Sequence, residues 1–178
     1  MSNEVEFLNQ NRRATEKNVF QEAVKQINKN SYTNIVYSEK WSKGVLGIVA
    51  SRLIEHSYKP TIVMTNSDTE LLTGSVRSVS GFDVHEALSK CADNIFQFGG
   101  HKYAAGLKVK KSNFKDFKVQ FENTVKKTVD EEMFRKTFSY DILLHFSEIT
   151  HENVKIISRM SPFGLGNTKP VFRTNNCF

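Results

Sequence analysis

The sequence predicts an α/β fold, a mixed or parallel sheet covered by helices, and three observations carry the prediction. Apolar stripes with helical spacing alternate with short β-branched runs along the first 136 residues. Polar or Gly/Pro punctuation separates them, as at Pro60 and at Asn66-Ser67-Asp68-Thr69. The chain of 178 residues is 39% hydrophobic and holds 14 Phe, enough apolar volume for the core of one such domain.

Each element has its own warrant. Residues 3–30 lack Pro and Gly and are rich in Glu, Gln, Lys, Arg and Asn, which predicts one long helix. Its second half lines up Phe20, Ala23, Val24 and Ile27, whereas its first half has only Val5, Phe7 and Leu8 to bury. A helix that sheds its apolar face at one end reaches toward a further partner. Residues 34–37 read as a strand. Residues 44–58 read as a helix with Val45, Leu46, Ile48, Val49, Leu53 and Ile54 inward. Residues 61–65 form a β-branched strand, and 71–78 a strand paired with it across the polar turn. Asp83 caps a helix running to about Ile95, with Val84, Ala87, Leu88, Cys91 and Ile95 on one face. A Gly-Gly-His loop follows, then a strand through Leu107 and Val109, and a helix over 113–132.

The character changes after Lys136. Residues 138–146 read as a strand, 149–160 as a helix and 161–166 as a loop. Val171-Phe172 opens another strand as the sequence stops, which reads as a piece of a longer polypeptide.

Composition narrows the function classes. Lys plus Arg outnumber Asp plus Glu by 25 to 19, for a net charge of +6, which fits a polyanionic partner without requiring one. Cys91 and Cys177 are far apart and lack metal-ligand spacing; Cys91 reads as a reduced, buried thiol. No apolar run is long enough for a membrane span and no signal-peptide pattern opens the chain, so a cytoplasmic protein without membrane partners is expected.

Two segments carry candidate chemistry. In Phe98-Gly99-Gly100-His101-Lys102 the glycines let backbone N–H groups curl around an anion, and His101 and Lys102 add side-chain donors. In Gly74-Ser75-Val76-Arg77-Ser78 the Arg77 guanidinium can grip a phosphate in bidentate fashion while Ser75 and Ser78 complete its oxygen shell. Plainer readings stand beside these: a solvated strand-end Arg77, and a His101 bonded to backbone in a turn. Trp41 leads into a helix N-terminus at Gly44 to Gly47, another possible anion site, where the indole either stacks on a base or anchors a loop. Arg52 and Lys59 read as solvated helix-end charges. The five His have no paired spacing with Cys or acids, so no metal is expected in this chain, nor is there a nucleophile–base pair.

Taken together, Trp41 to Leu53 (WSKGVLGIVASRL), Gly74 to Ser78 (GSVRS) with Gly81-Phe82-Asp83, and Phe98 to Gly106 (FGGHKYAAG) closely resemble the DHH-associated domain of the RecJ family. That family, within the DHH phosphoesterases, comprises single-strand-specific 5′→3′ DNA exonucleases of recombination and repair. Phe7 to Arg13 resembles the helix joining the catalytic DHH domain to this one; Ser161 to Asn167 with Pro170 to Phe172 resembles the start of an oligonucleotide-binding barrel. The resemblance implies a linker helix over 1–30, a substrate-binding domain over 31–136, and the truncated start of that barrel over 137–178. It implies Mn²⁺ or Mg²⁺ in a DHH domain outside this sequence, which has no Asp-His-His, so that the piece is inactive alone. It implies single-stranded DNA as partner, with Ser75 and Arg77 on phosphate; Ser78 and Lys102 join the phosphate-binding candidates on their side-chain chemistry. Gly99, Gly100 and His101 would close the cleft floor beside the scissile bond, His101 in a catalytic role. Ser42 departs from the family, which commonly has His there, and so removes any charge at that position. Two alternatives remain: a DHH-type oligonucleotide phosphodiesterase or pyrophosphatase, and a non-catalytic nucleic-acid-binding module.

Overall fold

A computed structural model describes residues 2–175; Cys177 lies outside them. The chain divides into two compact units, 1–136 and 137–178. In the first, α1 (Ser2–Lys25) precedes β1 (Asn34–Tyr37), α2 (Leu46–His56), β2 (Thr61–Asn66) and β3 (Leu71–Arg77). Then come α3 (Val84–Ser89), β4 (Gln97–His101), β5 (Ala104–Lys110) and α4 (Phe114–Thr128). The five strands form one sheet in the order β1-β2-β3-β5-β4. Only β1 and β2 are parallel; the other neighbours run antiparallel, so the sheet is mixed as the alternation predicts.

Strand alternation sorts the side chains into two layers. One face carries Ile62, Met64, Leu72, Val76, Leu107 and Val109, packed with Leu88 of α3 and with Phe117 and Phe121 of α4. Both Phe rings are fully buried, each contributing on the order of 2–3 kcal/mol by leaving water. The other face carries Val36 and Val63 under Val49 and Leu53 of α2, with Val19 and Ala23 of α1 behind. The stripe expected on the second half of the first helix is therefore real, whereas Val5, Phe7 and Leu8 stay exposed.

Several elements are shorter than the sequence suggests. The first helix ends at Lys25 and the helix capped by Asp83 at Ser89, where a turn and a short 3₁₀ segment (Ala92–Asn94) carry the chain to Ile95. Asp83 does cap it, accepting from the Glu86 N–H at 3.0 Å. Ile48, expected inward, is 37% exposed. The largest correction concerns Phe98 to His101: these residues are the edge strand β4, paired with β5, and not a loop.

In the second unit, β6 (Ile142–Leu143) and β7 (Phe172–Arg173) pair in parallel, with α5 (His151–Arg159) between them in sequence. The strand expected over 138–146 is confined to its two central residues. None of the described residues of this unit is buried.

Candidate nucleic-acid interface

Helices cover the two sheet faces unequally. On the α2 face, α1 and α2 cover β1 and β2 and α2 reaches over β3 at Gly47, while the rest of that face, on β3, β5 and β4, stays open. Because cross-strand partners point the same way, register lays out three rows on that open face. Arg77, Ala104 and His101 form one row; Ser75, Gly106 and Gly99 the next; Thr73, Lys108 and Gln97 the third. Small residues fill the second row and the middle of the first, so the surface there is a shallow shelf, and a depression of about 320 Å³ lies over Thr73, Gln97, Gly99, Gly106 and Lys108.

Arg77 stands where this shelf meets α2. Its Nη1 donates to Ser75 Oγ at 3.1 Å and to the Val76 carbonyl at 2.9 Å. Its Nη2 lies against Gly47, where a Cβ would come within 2.8 Å of Nη2 and 3.3 Å of Ser75 Oγ. Gly47 sits in the first turn of α2, the positive end of the helix dipole. A cation held against a positive helix end is electrostatically mismatched, and an anion seated beside both relieves the mismatch. Sequence reading marks the Trp41–Gly47 segment and Ser75/Arg77 as separate anion candidates; the fold brings Gly47 of the first against Ser75 and Arg77 of the second.

The other expected residues separate into two groups. His101 is exposed at the end of β4, two strands or roughly 10 Å from Arg77. Its imidazole forms no hydrogen bond with the described residues, so the turn-bonded reading of the His101 side chain does not hold. Gly99 lies in the shelf, and a Cβ there would meet nothing within 4 Å. Gly100 is structural: at φ +147° its missing Cβ would sit 2.4 Å from the Ala104 carbonyl oxygen. Both glycines are strand residues, so they form a flat floor and not a backbone cradle. Lys102 is exposed in the β4–β5 turn with its ammonium 5.6 Å from the Tyr103 ring. Ser78 leaves the group, its hydroxyl donating to the Phe82 carbonyl at 2.8 Å.

Neighbouring candidates resolve as structure. Trp41 is buried and donates to Glu22 Oε2 at 2.8 Å, an anchor between α1 and the loop before α2. Arg52 pairs with Glu16 at 2.9 Å and lies over the Phe20 ring. Lys59 is not a free surface charge: it donates to the Lys29 and Ser31 carbonyls, and partial burial holds its pKa below the usual lysine value. Cys91 is a free, buried thiol, pushed up by burial beside Thr124. Among the described residues no cluster of His, Cys, Asp and Glu could hold a metal, and no helix is long and apolar enough to cross a membrane.

Fold and register together define an α/β domain with an open, small-residue shelf beside Arg77 on a half-covered mixed sheet. The DHHA1 domain family matches residues 15–127 and the RecJ OB domain family residues 140–178. The chain belongs to the DHHA1 domain family.

The single-stranded-DNA-specific exonuclease RecJ of Bacillus subtilis is 32% identical over 171 residues, covering 94% of this chain but 22% of that protein. RecJ of Haemophilus influenzae is 32% identical over 95% of this chain and 31% of its own length. The chain thus spans less than a third of these relatives. The crystal structure of Thermus thermophilus RecJ with Mn²⁺ superposes with a TM-score of 0.84 at 26% identity, over 97% of this chain and 25% of that one. The same protein with Mg²⁺ gives 0.81, over 96% and 26%.

Proposed function

We propose that this chain supplies the nucleic-acid-binding side of the cleft in a metal-dependent 5′→3′ single-stranded-DNA exonuclease. The observation that carries the reading is the Arg77–Ser75–Gly47 arrangement opening onto the glycine shelf. Arg77 and Ser75 hold a backbone phosphate, and Gly47 leaves room for the guanidinium beside the positive end of α2. Gly99 and Gly106 let a sugar–phosphate strand lie close to the sheet, and His101 and Lys102 act at the far side of the same phosphate, His101 nearest the reacting bond.

In this reading residues 1–30 form the linker to a DHH domain in the same polypeptide, 31–136 the binding domain and 137–178 the start of the barrel. The Mn²⁺ or Mg²⁺ ions that activate water belong to the DHH domain. This chain's contribution is to hold and align the strand, and it is inactive alone. The reduced Cys91 suits a cytoplasmic enzyme of DNA recombination and repair. The DHH-type phosphodiesterase or pyrophosphatase and the non-catalytic module are less favoured, because RecJ proteins match over 94% to 97% of this chain.

The test is Mn²⁺-dependent degradation of 5′- and 3′-labelled single- and double-stranded DNA by the full-length polypeptide carrying this sequence. Loss of single strands from the 5′ end is expected. Inert DNA, with short oligonucleotides or pyrophosphate consumed instead, overturns the reading. Arg77→Ala in that polypeptide should lower kcat/KM at least about tenfold, the scale of one charge-assisted phosphate contact, while leaving the melting temperature nearly unchanged.

A further inference from the structure

Beyond Arg77, the shelf carries a second cationic position that the reading above does not use. Lys108 lies on β5 in the third row, flanked by Thr73 on β3 and Gln97 on β4. The three line the depression of about 320 Å³ whose floor is Gly99 and Gly106. Lys108 forms no ion pair with the described residues, and neither the Thr73 hydroxyl nor the Gln97 amide makes a hydrogen bond there. Three polar groups with free donors therefore converge on one open depression.

Distance along the strands assigns their ligand. Rows one and three are four residues apart on β3 and on β5, so Arg77 and Lys108 stand roughly 13 Å from each other at 3.3 Å per residue. That is about two internucleotide steps of an extended single strand. Between them lie Ser75, Gly106 and Gly99, with no bulky side chain to lift a backbone off the sheet.

We propose that Lys108, with Thr73 and Gln97, forms a second backbone-phosphate subsite, about two nucleotides along the strand from the phosphate held by Arg77. The inference rests on the reading of the shelf as a nucleic-acid track. A strand long enough to reach both rows is gripped by two cations in line, whereas a dinucleotide reaches only the Arg77 row. Lys108 thereby favours polymer over short fragments. Being a point charge, it selects length and not base.

The test is steady-state hydrolysis of 5′-phosphorylated oligothymidylates, two and eight nucleotides long, by the full-length polypeptide. In Lys108→Ala the KM for the octamer should rise at least about fivefold more than that for the dinucleotide. The salt dependence of log(kcat/KM) on the octamer should become shallower by roughly 0.7. Lys108→Arg should restore both. Equal effects on the two lengths, or an unchanged salt slope, overturn the proposal. Arg77→Ala, run beside it, separates the two levels. If it lowers turnover of both lengths while Lys108→Ala shows no length dependence, only the second subsite is lost. If Arg77→Ala leaves both lengths unaffected, the reading of the shelf fails and this inference with it.

Discussion

Gly99 and Gly100 are adjacent in sequence and opposite in what they tolerate. An alanine methyl at Gly100 would overlap the Ala104 carbonyl oxygen and lie 2.5 Å from the Ala105 Cα, both backbone atoms, at a φ of +147°. Gly100→Ala should cost more than about 2 kcal/mol, read as a lowered urea midpoint. Gly99→Ala meets nothing within 4 Å, so its midpoint should stay within about 0.5 kcal/mol of the parent while the methyl obstructs the shelf and lowers turnover on DNA. Gly47→Ala separates the same two quantities. Alanine is the better helix former by up to about 1 kcal/mol, yet its methyl would sit 2.8 Å from Arg77 Nη2 and push the guanidinium away. Unreduced stability with a turnover loss approaching that of Arg77→Ala is expected; full turnover would remove Gly47 from the site. At this scale the sequence was legible wherever chemistry is local. Arg77, Ser75 and His101 declare themselves by side-chain type. The closeness of Gly47 to Arg77, and the diversion of Ser78 to the Phe82 carbonyl, depend on how α2 packs and where the strand ends, which spacing does not encode.

Among elements, long amphipathic ones were legible and glycine-rich ones were not. β1 follows from residues 34–37 without a change of boundary, and β2 and β3 to within a residue. β4 was hidden because Gln97-Phe98-Gly99-Gly100-His101 has neither β-branched residues nor a clean alternation, and glycine in a row reads as a turn. It is a strand because β5 offers a paired edge, a tertiary reason. The β2–β3 connection shows the reverse, a turn held locally, by the Ser67 N–H on the Leu71 carbonyl at 2.7 Å and by one side chain. The Asp68 carboxylate accepts from the Glu70 and Leu71 N–H groups at 2.9 and 2.8 Å, and these backbone bonds hold its pKa below the ordinary aspartate value. A depressed folded-state pKa means the ionised form stabilises the fold above the unfolded pKa of about 3.9, and that the contribution fades as pH falls through the lower folded value. Asp68→Ala should therefore lower the urea midpoint at pH 7, and the difference from the parent should shrink steadily below about pH 4. A difference that does not depend on pH would mean that the turn gains nothing from the charge.

For the whole molecule, the division at 136/137 has an energetic counterpart. Both core clusters, from Val19 to Val125 with Phe134 packed at their margin, lie within residues 1–136. The described part of residues 137–178 buries no side chain, and Phe138, Ile142, Leu143, Phe146, Ile149 and Leu165 are all exposed. Its regular structure is a nine-residue helix, a three-residue 3₁₀ segment and two parallel strands of two residues each, too few bonds and too little buried area to offset the entropy of ordering about forty residues. A chain cut after Lys136 should keep a single cooperative unfolding transition, with a melting temperature within a few degrees of that of the full 178 residues. Residues 137–178 alone should give no cooperative transition and strong amide exchange throughout. The DHHA1 match, which ends at residue 127, lies wholly inside the part expected to survive, and so does every residue of the proposed shelf. If the shortened chain instead lost cooperativity, the cores of the first unit would not suffice to fold it. The binding surface would then depend on segments that follow it in the polypeptide, and substitutions on the shelf would have to be studied only in the longer protein.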